Sequence, residues 1–220
     1  MLFMFDTVLF DKICSVNCSD QELKEFKRGI ERRKFDTDNA FDKYYSIESI
    51  LKCFDLYKAG KISEKFLADW AYAYDFIIMG GFPRKENEDS KIDITIKRVI
   101  SWEISDWLDS LSFSYMYDTL EIDDYSNALC TMDAIYKNID DWKAFYSYTG
   151  MKYDNSEDFS NIYVLLVNDK SREFIIFEND GCDFREYKLQ ANPCEVAMLE
   201  QMMRDLTNMG YKELLPFIDD

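Results

Sequence analysis

The sequence predicts an α+β protein: a mostly helical N-terminal two-thirds, then a small three-stranded antiparallel sheet and a C-terminal helix. Three observations predict this class. Apolar residues recur at steps of three and four through much of residues 19–145, the spacing of a single helix face. Two β-branched, aromatic runs, IYVLLV (162–167) and EFIIFE (173–178), flank the short polar turn NDKSR, as in a hairpin. Asn192-Pro193 precedes an apolar stripe of Val196, Leu199, Met202, Met203 and Leu206, which reads as a helix opening on a capping Asn and a first-position Pro. The domain reading is a helical region over 1–150 with an acidic face, and a sheet plus helix over 151–220, packed as one domain.

Taken in order, residues 2–10 (LFMFDTVLF) fit either a strand or a buried helix. Ser19 and Glu22 form a capping-box pattern, so a helix starts near Asp20 with Leu23, Phe26 and Ile30 on its stripe. RGIERRK (28–34) is the one basic cluster and solvates a helix end, because acids surround it. Ser46 caps a second helix with Ile47, Ile50, Leu51, Phe54 and Tyr57 on its apolar face, and Gly60 ends it. Ser63 caps a third, lined by Phe66, Leu67, Trp70, Tyr74, Ile77 and Ile78 and stopped by Gly80, Gly81 and Pro83. The two make a helical hairpin with a tight turn.

RKENEDSK (84–91) is a polar link. Ile92, Ile96, Val99, Ile100, Trp107, Leu108 and Leu111 suit a helix over 90–112, while residues 91–97 also alternate as a strand does. The clearest periodic run is Tyr125, Ala128, Leu129, Met132, Ile135, Tyr136, Ile139, Trp142 and Phe145. It predicts one long helix, capped by Asp123 or Asp124 and closed by Gly150. FREYKL (184–189) supplies the third strand, and Gly210 ends the last helix.

Charge narrows the function classes. The 220 residues carry 43 acids against 26 Lys and Arg, a net −17, and residues 100–160 alone hold thirteen acids and three bases. That field repels nucleic acid and anionic membranes and attracts basic proteins. MLFMFDTVLF has no basic leader, is interrupted by Asp6, and is too short to span a bilayer. The six cysteines, at 14, 18, 53, 130, 182 and 194, read as reduced, mostly buried thiols of a cytoplasmic protein.

Catalytic signatures are scarce. There is no histidine, no CxxC and no Gly-rich phosphate loop, which removes the commonest general base, His-paired nucleophiles and most catalytic zinc sites. The run Asp118, Glu121, Asp123, Asp124 offers oxygen ligands for calcium but lacks the glycine and spacing of an EF-hand. The sequence therefore predicts no enzyme, no metal and no cofactor. Instead, acids interleave with aromatics across 115–127 and 138–161. Rings supply rigid contact area and carboxylates pair with Arg and Lys. The candidate partner-binding residues are Asp118, Glu121, Asp123, Asp124, Asp133, Asp140, Asp141 and Tyr148; those from Asp133 onward are placed on the exposed side of the long helix.

The hairpin stretch LKCFDLYKAGKISEKFLADW (51–70) resembles bacterial toxin immunity proteins, including those similar to the colicin D inhibitor. The resemblance implies a cognate toxin, often a basic nuclease, neutralised by an acidic partner; it carries no functional residue across. The expected function is a non-enzymatic inhibitor that binds a basic toxin domain. An acidic nucleic-acid mimic, such as a phage-encoded inhibitor of host defence, is the alternative, and a metal-dependent carboxylate enzyme the third.

Overall fold

Serines at the positions the sequence marks do start the helices. A computed structural model describes residues 7–29, 40–79, 92–114, 121–153, 156–181, 187–189 and 192–214. The chain divides into two compact units, Met1–Lys85 with Ser101–Cys130, and Glu86–Ile100 with Thr131–Asp220. The architecture is α+β. Residues 30–34 of the basic cluster, the closing glycines 80–81 and Asp118 lie outside the described residues.

The first unit is built from α1 (Thr7–Cys14), α2 (Asp20–Gly29), α3 (Ala40–Tyr44), α4 (Ile47–Lys58) and α5 (Glu64–Ile78), with residues 101–114 of α6 (Ile96–Ser114) and the start of α7 (Ile122–Lys137). The described part of residues 2–10 is helical. Before α2, the Ser19 N–H donates to Glu22 Oε2 at 2.8 Å and the Glu22 N–H to Ser19 Oγ at 3.3 Å, closing the capping box. Ser46 and Ser63 cap α4 and α5 by accepting from the Ser49 and Phe66 N–H groups. Gly60 takes φ +66° at the hairpin turn. There its N–H reaches the Tyr57 carbonyl at 2.8 Å and the Lys61 N–H the Leu56 carbonyl at 2.9 Å, a Schellman closure that uses the orphan carbonyls of α4.

α5 is the central helix. Ten of its fifteen residues are buried, so it is enclosed on more than one face, and α1, α2, α3 and α4 all pack on it. Trp70 and Tyr74 stack at 4.8 Å between ring centroids. Their polar atoms are satisfied, as buried aromatics require: Trp70 Nε1 donates to the Ile13 carbonyl at 2.9 Å, and the Tyr74 hydroxyl accepts from the Ser46 N–H at 2.7 Å. Asp69 is buried and accepts from Lys27 Nζ at 2.8 Å and Lys65 Nζ at 2.6 Å. Burial pushes its carboxyl up, but the two ammonium partners more than offset this and leave it below the usual carboxylate range.

The second unit holds β1 (Ile92–Ile94), β2 (Lys143–Tyr153), β3 (Ser156–Asn168), β4 (Glu173–Gly181), β5 (Tyr187–Leu189), β6 (Asn192–Pro193), α8 (Val196–Asn208) and β7 (Lys212–Glu213). The sheet order is β6-β2-β3-β4-β7. β2, β3 and β4 are antiparallel, with Lys143 opposite Val167 and Val167 opposite Phe174; the two-residue β6 and β7 pair in parallel at the edges. Leu165, Val167 and Phe174 form one core cluster with Leu199 of α8, and Met202, Met203 and Leu206 pack against it. α8 thus covers that face of the sheet. Residues pointing to the opposite face of the pleat, Val164, Leu166, Ile175 and Phe177, are buried as well.

Three expectations are corrected here. The long helix ends at Lys137, not near 145: a 3-10 turn at Ile139–Asp141 follows, and residues 143–153, Gly150 included, are strand β2. The apolar spacing continued by coincidence, whereas AFYSYT is rich in the aromatic and β-branched types that suit a pleated surface. The third long strand is therefore β2, and residues 187–189 pair instead with β1 in a separate two-stranded parallel sheet. Asn192-Pro193 opens no helix. It is the edge strand β6, a place where Pro loses no ladder donor, and α8 begins at Val196 after Glu195.

Candidate partner-binding surface

The start of α7 gathers three of the expected acids. Glu121 holds the cap position: its carbonyl accepts from the Asp124 N–H at 3.1 Å and the Tyr125 N–H at 3.3 Å. Asp123 and Asp124 thus sit in the first turn rather than capping it. Carboxylates there face the positive end of the helix dipole, so part of their role is helix stability. Asp123 is exposed and pairs with Lys58 Nζ of α4 at 2.5 Å. Asp124 lies beside Glu121, and the proximity of this second carboxyl raises the Glu121 carboxyl above its ordinary range.

The acids of the second unit are arranged differently. Asp133 is only 7 % exposed, against the expectation of a solvent-facing residue. It turns inward and meets Lys137 Nζ, one helical turn on, at 2.9 Å. Asp140 is exposed. Asp141 pairs with Lys170 Nζ in the β3–β4 turn, beside a second pair of Lys143 with Asp169. Tyr211 Oη donates to Asp169 at 3.0 Å. Tyr148 is on strand β2, opposite Ile162, and not on a helix. The structure therefore brings together Glu121, Asp123 and Asp124 in one place and Asp140 and Asp141 in another. Lysines distant in sequence neutralise two of these five.

A further acid group went unnoticed in the sequence. On α6, Trp102, Ser105, Asp106 and Asp109 fall at i, i+3, i+4 and i+7, one helix face. Ser105 Oγ donates to Asp75 Oδ1 of α5 at 2.6 Å. Burial, followed by the charges of Asp109 and Asp106, pushes the Asp75 carboxyl up to about 7 against the Ser105 bond, which lowers it. Glu103 is 5 % exposed; burial and then the Asp106 charge push it up to about 8. Asp106 and Asp109 are exposed and also shifted upward, first by desolvation; water around them damps the repulsion. The spacing EISDWLD was available in the sequence, but the fourth carboxylate comes from α5.

Burial disfavours the reactive form of three of the thiols. Cys14, Cys18, Cys53, Cys130 and Cys194 are free, and Cys182 lies outside the described residues. Burial pushes Cys14 up to about 12 and Cys18 up to about 11 and raises Cys53 further, which disfavours the reactive thiolate. Among the described residues no three acidic or thiol side chains converge to hold a metal ion, and no helix is long and apolar enough to cross a membrane. No protein-family model, curated protein or solved structure matches the chain.

Proposed function

We propose that the protein is a cytoplasmic, non-enzymatic inhibitor of the immunity type, which binds a basic toxin domain through carboxylates. The observation that carries this reading is the start of α7. There the exposed Glu121 and half-buried Asp124 crowd each other in the free protein, with the exposed Asp123 beside them paired to Lys58. An incoming Arg or Lys relieves that crowding, so the site gains most when a cation arrives. The net −17 steers the encounter, and the resemblance of residues 51–70 to immunity proteins agrees in kind.

The test is binding to a basic toxin domain encoded beside the gene, with and without Glu121→Gln, Asp124→Asn and Asp140→Asn. The triple variant is expected to bind at least about tenfold more weakly, roughly 1.4 kcal/mol. The deficit should narrow as salt rises, because screening already weakens these charges in the parent protein. Equal affinity at low salt would place the interface elsewhere, and no binding by the parent protein would remove the inhibitor reading.

A further inference from the structure

Four large apolar side chains stand exposed among the described residues: Val8, Phe113, Met198 and Met209. The last two flank α8 end to end, Met198 in its first turn and Met209 at its C-cap, and they are 54 % and 61 % exposed. About three turns separate them, so they fall within about 20° of each other round the helix. The half-buried Met202 lies on the same line, one turn after Met198. The three make a methionine strip about 16 Å long. It is not the stripe that holds α8 in place. Leu199, Met203 and Leu206 belong to the core cluster of the sheet, with Met202 at its margin, and Leu199 is the one buried residue of the helix.

Carboxylates border the strip. Asp205 lies beside it, between Met202 and Met209 along the axis, and Glu195 stands at the helix start. Both are exposed. Asp205 accepts from the neutral Gln201 Nε2 at 2.8 Å, and Glu195 makes no side-chain cap bond. The ion pair of α8, Arg204 with Glu200, is on the far side of the helix.

We propose that the strip is a docking surface for a basic amphipathic helix of another protein, with apolar side chains on the methionines and Lys or Arg against Glu195 and Asp205. The surface is separate from the start of α7 and does not rest on the inhibitor reading. Apolar residues exposed singly are ordinary, but three in line match the anchors that a helix presents at steps of three, four and seven. Methionine is unbranched and polarisable, so it moulds to such a face. Charge decides the occupant. Two copies of net −17 repel each other, and pairing their strips would gather carboxylates of both. A cationic helix meets the same carboxylates with opposite charge.

The experiment labels the methionine methyl groups of the full chain with carbon-13 and titrates it with a Leu/Lys peptide patterned as an amphipathic helix. Met198, Met202 and Met209 should shift together and saturate, while Met132, buried in the core, stays in place. M198Q/M209Q alters two exposed side chains and keeps helix propensity, so its circular dichroism spectrum should be unchanged. Its affinity should fall at least about tenfold. A peptide of the same composition with its leucines spread round the helix should bind at least about tenfold more weakly as well. E121Q/D124N should change affinity by less than about twofold. The proposal is overturned by equal binding of the spread peptide, by unchanged affinity in M198Q/M209Q, or by shifts distributed over all the methionine methyls. It is overturned equally if light scattering finds a dimer whose Met198 and Met209 signals change on dilution, because a second copy is then the occupant. Binding that depends on Glu121 and Asp124 instead of the methionines would remove this surface and leave the inhibitor reading in place.

Discussion

Asp75 and Glu103 are pushed up to about 7 and about 8 because burial penalises the charged form and neighbouring acids add to the penalty. The linkage has a definite sign. Each carboxyl is raised above its unfolded value, so its stabilisation is fully present below about pH 4. It is lost progressively as pH climbs through about 7 for Asp75 and about 8 for Glu103. Denaturant midpoints should therefore fall between about pH 5 and 8.5, and Asp75→Asn with Glu103→Gln should flatten that slope. An unchanged slope in the double variant would show that other groups set it. Asp69 has the opposite sign: its two lysines depress it, so its contribution is present at neutral pH and fades only in acid.

At the scale of elements, the α4–α5 hairpin depends on one backbone conformation. Gly60 sits at φ +66° with nothing within 4 Å of where a Cβ would stand. Gly60→Ala therefore meets no clash and carries only the left-handed strain, which should lower stability by about 1 kcal/mol; urea unfolding measures it. The caps and this turn were legible in the sequence because capping is local chemistry, complete within four or five residues. The end of α7 was not. Trp142 and Phe145 continue the helical spacing, yet β2 takes its partner from β3, with Lys143 opposite Val167 and Phe145 opposite Leu165, and periodicity carries no information about a partner. The candidate site divides the same way. The identity of the acids was readable, but that Asp123 meets Lys58 and Asp141 meets Lys170 was not, since those lysines arrive from other elements. Asp75 joined the α6 acids unseen for the same reason.

Over the whole molecule, the acid excess is a property of the sequence, and the fold decides where it stays unpaired. Thirteen acids lie in residues 100–160, but the chain's own lysines claim Asp123, Asp133 and Asp141. Net charge thus overstates how much carboxylate is left without a lysine. The two units also interleave: residues 86–100 belong with 131–220, while 101–130 belong with 1–85. A single cut consequently frees neither. The fragment 131–220 lacks β1 and much of α7, and it should show no cooperative thermal transition by circular dichroism, whereas the full chain should. A sharp transition in the fragment would mean the sheet and α8 suffice. Interleaving also bears on how the chain is made. A ribosome adding about 5–20 residues per second releases the segment owed to the second unit before it delivers Cys130, the last residue of the first. For seconds the apolar faces of α5 wait without their full cover. The newborn chain is then most in need of a chaperone.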